Sequence, residues 1–305
     1  MKSKYFLQLI ALSSLWGASF MLLRIASPIL GPYVLTASRL ALAAVTLAVI
    51  MRLMRHNWPL VHWRELLVLA ALSVAIPFLL FSWTALYLPA GYSALLNSTG
   101  ILFGTFSAAW LKEDTLTPRK LLGCLLGVVG VGLIVKLGPV PLTPAVLLAV
   151  LGCIVAAACF GISTTFMKRS LSRMQPLAVA AGIHSLAFIV ILPAALWALP
   201  QARFTVGTLG IVAVLGVVTS GLAYWAHLRI MAHVTPVAAM TPMFMVPLFG
   251  VAWGHLFLGE PLSSGTYAGG ALILLASALV SGFNPWRKST AKAPAESIDL
   301  LDAKP

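Results

Sequence analysis

Apolar runs of about twenty residues recur through nearly the whole chain, separated by short polar breaks. A bilayer core of about 30 Å is crossed by roughly 20 residues of α-helix. Nothing else in the sequence restricts the fold so strongly. Of 305 residues, 60% are apolar and 9% charged, against about 25% charged in soluble domains. Folding in water buries at most about 75% of a chain's surface at this length. So much hydrocarbon excludes a soluble globular domain and a disordered chain. The breaks fall at Pro, Gly or basic clusters and leave ten expected spans. They are Tyr5–Ile25, Pro32–Met54, Glu65–Tyr87, Ala90–Trp110, Arg119–Leu137, Pro144–Met167, Gln175–Leu199, Phe204–Leu228, Thr235–Leu258 and Leu262–Phe283. The longest loop, Arg55–Arg64, leaves no room for an extramembrane domain. The fold class expected is an all-α polytopic membrane protein.

Residues Lys2–Ile25 have a basic start and an apolar run. Trp16 and Arg24 stand where a cleavable signal would need small residues, so this segment reads as the first span. Cys124, Cys153 and Cys159 lie in apolar runs without a Cys-x-x-Cys pair. They read as small core residues, and no disulfide, metal site or cofactor is expected. Residues 284–305 are polar and read as a disordered tail.

The charge is lopsided, with 20 Lys plus Arg against 7 Asp plus Glu, a net +13. In a soluble protein this balance points to nucleic acid. With the N-terminus in the cytoplasm, sixteen of the twenty basic residues fall on the cytoplasmic side. Arg24, Lys136 and Arg203 fall outside, and Arg39 lies within the second span. The excess is a topology signal. Both termini are expected to be cytoplasmic, with the bilayer and a small-molecule substrate as partners and no nucleic acid. The oligomeric state is not set by the sequence.

The two halves resemble each other. Leu102-Phe103-Gly104 repeats as Leu248-Phe249-Gly250, and the same offset pairs Asp114 with Glu260 and Gly123 with Gly269. Near the start of each half, Gly17 pairs with Gly161, Ser19 with Ser163 and Pro32 with Pro176. Five spans per half is an odd number, so the second half enters the membrane inverted. Inverted repeats are the recurrent plan of secondary transporters, whose substrate site lies at mid-membrane between the halves. The expected division is a first repeat over 1–143, a second over 144–283 and the tail over 284–305.

Three motifs make the likeness specific. Trp16-Gly17-Ala18-Ser19-Phe20 resembles the opening signature of the EamA-type transporters of the drug/metabolite transporter superfamily. Pro247-Leu248-Phe249-Gly250 with Leu258-Gly259-Glu260-Pro261-Leu262-Ser263 resembles that family's end-of-repeat signature. Lys112-Glu113-Asp114-Thr115-Leu116-Thr117 is its first-repeat counterpart. The resemblance implies a bacterial inner-membrane exporter or exchanger of small metabolites, such as amino acids or amphiphilic compounds. It implies no enzymatic activity.

Candidate site residues are the polar or aromatic groups at membrane depth, which are costly there unless they serve a site or find partners. Arg39 lies about 10 Å below the outer interface at 1.5 Å per residue. It would anchor a substrate carboxylate, or else snorkel outward or bind helix carbonyls. Trp16, Ser19 and Phe20 share a helix face, and Ser163 is the repeat mate of Ser19. Ser220, Tyr224 and His227 form one stripe of span eight. Asn97 in span four and Met243 in span nine complete the cavity set. Trp83 and Tyr87, with Pro89, Pro242 and Pro247, are gate or hinge candidates. Glu260 reads as a cap for the start of span ten. No Asp or Glu lies mid-span, which argues against carboxylate-based proton coupling and leaves His184, His227 or solute exchange. Two other functions fit less well. One is a passive channel or scaffold. The other is an intramembrane serine hydrolase built on Ser19 and His184, which lacks any accompanying loop signature.

Overall fold

The structure, a computed structural model, describes residues 3–112, 115–137, 140–231 and 241–281. All regular structure among them is helical. We number the helices α1 (Ser3–Leu30), α2 (Pro32–Leu53), α3 (Leu60–Thr84), α4 (Ala90–Asn97), α5 (Gly100–Trp110), α6 (Pro118–Leu137), α7 (Pro144–Leu171), α8 (Pro176–Gln201), α9 (Val206–Ile230), α10 (Thr241–Leu258) and α11 (Ser264–Ser281). Within these bounds, six helices are long and apolar enough to cross a membrane: α1 from Leu7, α2, α3, α7, α8 and α9. The other four expected spans fall on α4 with α5, α6, α10 and α11.

Helix starts follow local chemistry. Proline opens α2, α6, α7 and α8, where its fixed φ suits the first turn and its missing N–H costs nothing. The Thr143 hydroxyl accepts from the Val146 N–H at 3.2 Å to cap α7. Thr205 and Thr208 form a reciprocal cap at α9. Many large apolar side chains point outward, among them Val49, Leu125, Val128, Ile189 and Phe257. In water these would form an aggregating surface. Hydrocarbon is their natural solvent.

Three helices depart from ideal geometry where the sequence suggested continuous spans. The fourth expected span is interrupted at Ser98–Thr99, between α4 and α5. There the Ser98 and Thr99 hydroxyls donate to the carbonyls of Leu95 (2.6 Å) and Leu96 (2.7 Å), as apolar surroundings require of a broken helix. Wide π-turns run through Ala71–Ala75 of α3 and Val214–Leu222 of α9.

The most extensive pairings include α6 with α11, α1 with α10, α2 with α8, α3 with α7 and α5 with α7. Glycine makes several of these crossings close. A Cβ at Gly17 would lie 2.6 Å from the Phe249 Cβ and 2.9 Å from the Gly250 nitrogen. A Cβ at Gly161 would collide with the Gly100 carbonyl and lie 2.6 Å from the Gly104 nitrogen. Small residues allow such backbone contact between membrane helices.

Glu260 does not cap span ten as the sequence suggested. Its carboxylate accepts from the backbone N–H groups of Ala90 (2.6 Å) and Gly91 (3.1 Å), capping α4 across the bundle. Ser263 takes the expected role, accepting from the Thr266 N–H at 3.1 Å at the start of α11. The reason is spatial. Gly259, at φ +64°, turns the chain after α10, and Glu260 then reaches the two N–H groups at the start of α4. At the other end of α3, Glu65 accepts from Arg173 Nη2 at 3.0 Å and from the Ser170 hydroxyl, tying α3 to the end of α7.

Candidate functional site

Arg39 is the centre of a polar cluster inside the bundle. It is 4% exposed, so it does not snorkel. Its Nε donates to the Ser220 hydroxyl at 2.6 Å, and Nη2 reaches the Thr219 hydroxyl at 3.5 Å. Its guanidinium carbon sits 3.8 Å from the centre of the Phe78 ring, within cation–π range. No acidic side chain pairs with it among the described residues. Gly216 makes the reach possible. A Cβ there would lie 2.6 Å from the Leu42 Cβ and 2.9 Å from the Arg39 carbonyl, so α9 approaches α2 closely one turn before Ser220.

The π-turns lie in the same neighbourhood. Ser220 and Thr219 belong to that of α9, and Phe78 follows that of α3 within the same helix. Single π-turns inside helices are frequent at functional sites. The sequence carries no visible mark of either.

His184, on α8, is fully buried. Its Nδ1 lies 2.8 Å from the Ala180 carbonyl, and its Nε2 has no partner among the described residues. A carbonyl only accepts, so Nδ1 carries the proton and the orphaned Nε2 offers a lone pair. The ring packs edge-on against Tyr224 at 4.9 Å and lies 6.5 Å from Phe78. Phe160 on α7 joins Phe78 at 6.3 Å and Phe81 at 6.0 Å, and Phe81 meets Phe20 at 5.2 Å. A run of rings thus leads from α1 to the Arg39 end. Phe78 and Phe160 are contributors that sequence reasoning missed, because a functional phenylalanine reads like any core residue.

The stripe on span eight divides among neighbours. Ser220 meets Arg39, Tyr224 meets His184, and His227 meets the edge of Trp16 at 5.0 Å. The Trp16 indole N–H donates to the Thr219 carbonyl at 3.1 Å, and His227 Nδ1 has no partner among the described residues. Ser19 and Ser163 are buried and turn their hydroxyls back on their own helices, to Leu15 at 3.2 Å and Phe160 at 2.8 Å. Asn97 stands apart, at the end of α4, which packs on α1, α7 and α10. Its Oδ1 is buried without a partner among the described residues. Trp83 and Tyr87 pack together at 5.5 Å. Pro89 precedes α4, and Pro242 and Pro247 are buried in α10. The Met243 side chain lies outside the described residues. Among the described residues no group of three or more His, Cys, Asp or Glu could hold a metal.

Apolar helices of membrane-crossing length, gathered around one buried basic cluster, define a multi-pass helical membrane protein. The chain belongs to the EamA-like transporter family, whose domain it matches twice, over residues 3–136 and 147–282. It is similar to "Uncharacterized transporter YvbV" of Bacillus subtilis, 25% identical over 299 residues and 95% of each chain. It is also similar to "Protein PecM" of Dickeya dadantii, 26% identical over 88% of this chain and 91% of that protein. A solved structure, titled only "Crystal structure of protein", aligns with a TM-score of 0.67 at 17% identity. It covers 92% of this chain and 99% of that one, a likeness of fold alone.

Proposed function

We propose that this protein is a secondary transporter, an exporter or exchanger of small organic metabolites, working by alternating access. In this reading ten spans form two inverted five-helix repeats, both termini are cytoplasmic, and the bacterial inner membrane is the site of action. The observation that carries the proposal is Arg39, a buried charge with no acidic partner among the described residues, held where helices from both family domains meet. Such a charge is expensive in a membrane and marks a solute path.

The packing supports the inverted repeat. Gly17 and Gly161 are repeat mates, as are Gly104 and Gly250. The crossings are Gly17 against Gly250 and Gly161 against Gly104. Each crossing becomes the other when the halves are exchanged, which is the behaviour of a two-fold relation. The π-turns of α3 and α9 also fall at corresponding places in the two halves. The helix broken at Ser98–Thr99 is a feature expected of transporters at the substrate level.

Cells expressing the protein are expected to lose a preloaded labelled metabolite faster than cells carrying an empty vector. Equal efflux across a broad panel of amino acids, organic acids and drugs would overturn the proposal. The lack of mid-span carboxylates leads us to expect only weak dependence of this efflux on the proton gradient.

A further inference from the structure

We infer that the Arg39–His184 cluster selects a net-anionic aromatic carboxylate whose ring bears an N–H or O–H, rather than a zwitterionic amino acid or an amine. This inference rests on the transporter reading above and narrows its substrate class.

Three observations carry it. The first is the unused capacity of Arg39. Ser220 and Thr219 engage Nε and Nη2, and Nη1 has no partner among the described residues. A guanidinium edge with free donors matches a carboxylate in a planar, two-point fashion. The second is the orphaned His184 Nε2. It is a lone-pair acceptor buried without a partner among the described residues, and a donor on the substrate satisfies it. Arg39 and His184 both abut the Phe78 ring, and Phe160 and Tyr224 extend the aromatic wall. A ring seated on this wall would pair a carboxylate arm with Arg39 and a ring donor with His184 Nε2. The third is what the chain lacks. Its seven acidic residues are Glu65, Glu113, Asp114 and Glu260 near span ends and Glu296, Asp299 and Asp302 in the tail. An ammonium group entering beside Arg39 meets a like charge and no carboxylate to offset it.

The test uses the full-length protein in proteoliposomes and three probes that share one ring system: indole-3-acetate (anion), tryptophan (zwitterion) and tryptamine (cation). Labelled indole-3-acetate is expected to accumulate transiently by counterflow. Unlabelled indole-3-acetate should compete at least about ten-fold better than tryptophan or tryptamine, because both of these bring an ammonium group beside Arg39 with no carboxylate to offset it. Phenylacetate, which lacks the ring donor, should compete less well than 4-hydroxyphenylacetate. Arg39→Gln, checked for monodisperse elution, should abolish indole-3-acetate counterflow. The wild-type competition order decides the matter even if that variant fails to fold. Equal competition by tryptophan, or counterflow retained in a folded Arg39→Gln protein, overturns the inference and leaves the transporter reading intact. So does transport of other solutes with none of the aromatic acids. If no solute on the broad efflux panel moves, the transporter reading itself falls.

Discussion

Arg39 is buried without an opposing charge among the described residues, and that sets its energetics. Insertion of an arginine at the centre of a membrane helix costs about 2.5–3.5 kcal/mol. Two hydroxyl contacts and the Phe78 face return part of this. A residue kept for stability would give a net gain, and a residue kept for a ligand need not. Arg39→Met is therefore expected to hold or raise the melting temperature in detergent while transport is lost. A clear fall in melting temperature with transport intact would make Arg39 a structural residue. The sequence singled out Arg39 because it is the one full charge well inside a span. His184 was visible as a possible coupling residue or a partner for Ser19 but not as a site acceptor, since its orphaned nitrogen depends on the Ala180 carbonyl that engages the other one. Phe78 and Phe160 carry no sequence mark that separates a substrate wall from a core.

At the scale of elements, glycine contacts and helix irregularities do most to shape the bundle. Gly161→Ala drives a methyl into the backbone of α5. Overpacking of this kind costs about 1–3 kcal/mol, so a lowered melting temperature is expected. Gly132→Ala is the matching control. Nothing lies within 4 Å of a Cβ there, and alanine in a helix interior gains up to about 1 kcal/mol over glycine. Equal stability of the two variants would contradict the close crossing. The six long apolar helices were legible because apolar runs have a characteristic length, and proline marks the start of three of them. The break after Asn97 and the π-turns were not, because Ser, Thr, Gly and Val also occur in straight membrane helices. Glu260 was misjudged for a related reason. Sequence proximity favoured α11, while the turn at Gly259 delivers the carboxylate to α4.

The whole molecule is tied at both ends of α3. Glu65 joins the start of α3 to the end of α7, and Glu260 joins the start of α4, just past α3, to the segment after α10. Under alternating access these ties must break in turn. Replacing the carboxylate of Glu260 removes two charge-assisted hydrogen bonds, each worth about 1.5–3 kcal/mol. Glu260→Ala is thus expected to favour the conformation open at that end, read as faster modification of nearby cysteines by a membrane-impermeant thiol reagent. An unchanged rate would make the contact a static cap. The paired glycines stand out in the sequence, but only the fold shows that Gly17 meets Gly250 and Gly161 meets Gly104.

The most direct test of alternating access is two-sided accessibility at Asn97, whose buried Oδ1 sits beside the break between α4 and α5. Cys124, Cys153 and Cys159 are replaced by alanine, and Asn97→Cys is probed with an impermeant thiol reagent from each face of oriented vesicles. A second protein adds Ala90→Cys and Glu260→Cys, oxidised to clamp the end where the carboxylate of Glu260 meets α4. The account predicts labelling of Asn97→Cys from both faces, with the clamp abolishing labelling from its own face only. Labelling from neither face, or from both with the clamp closed, would contradict it.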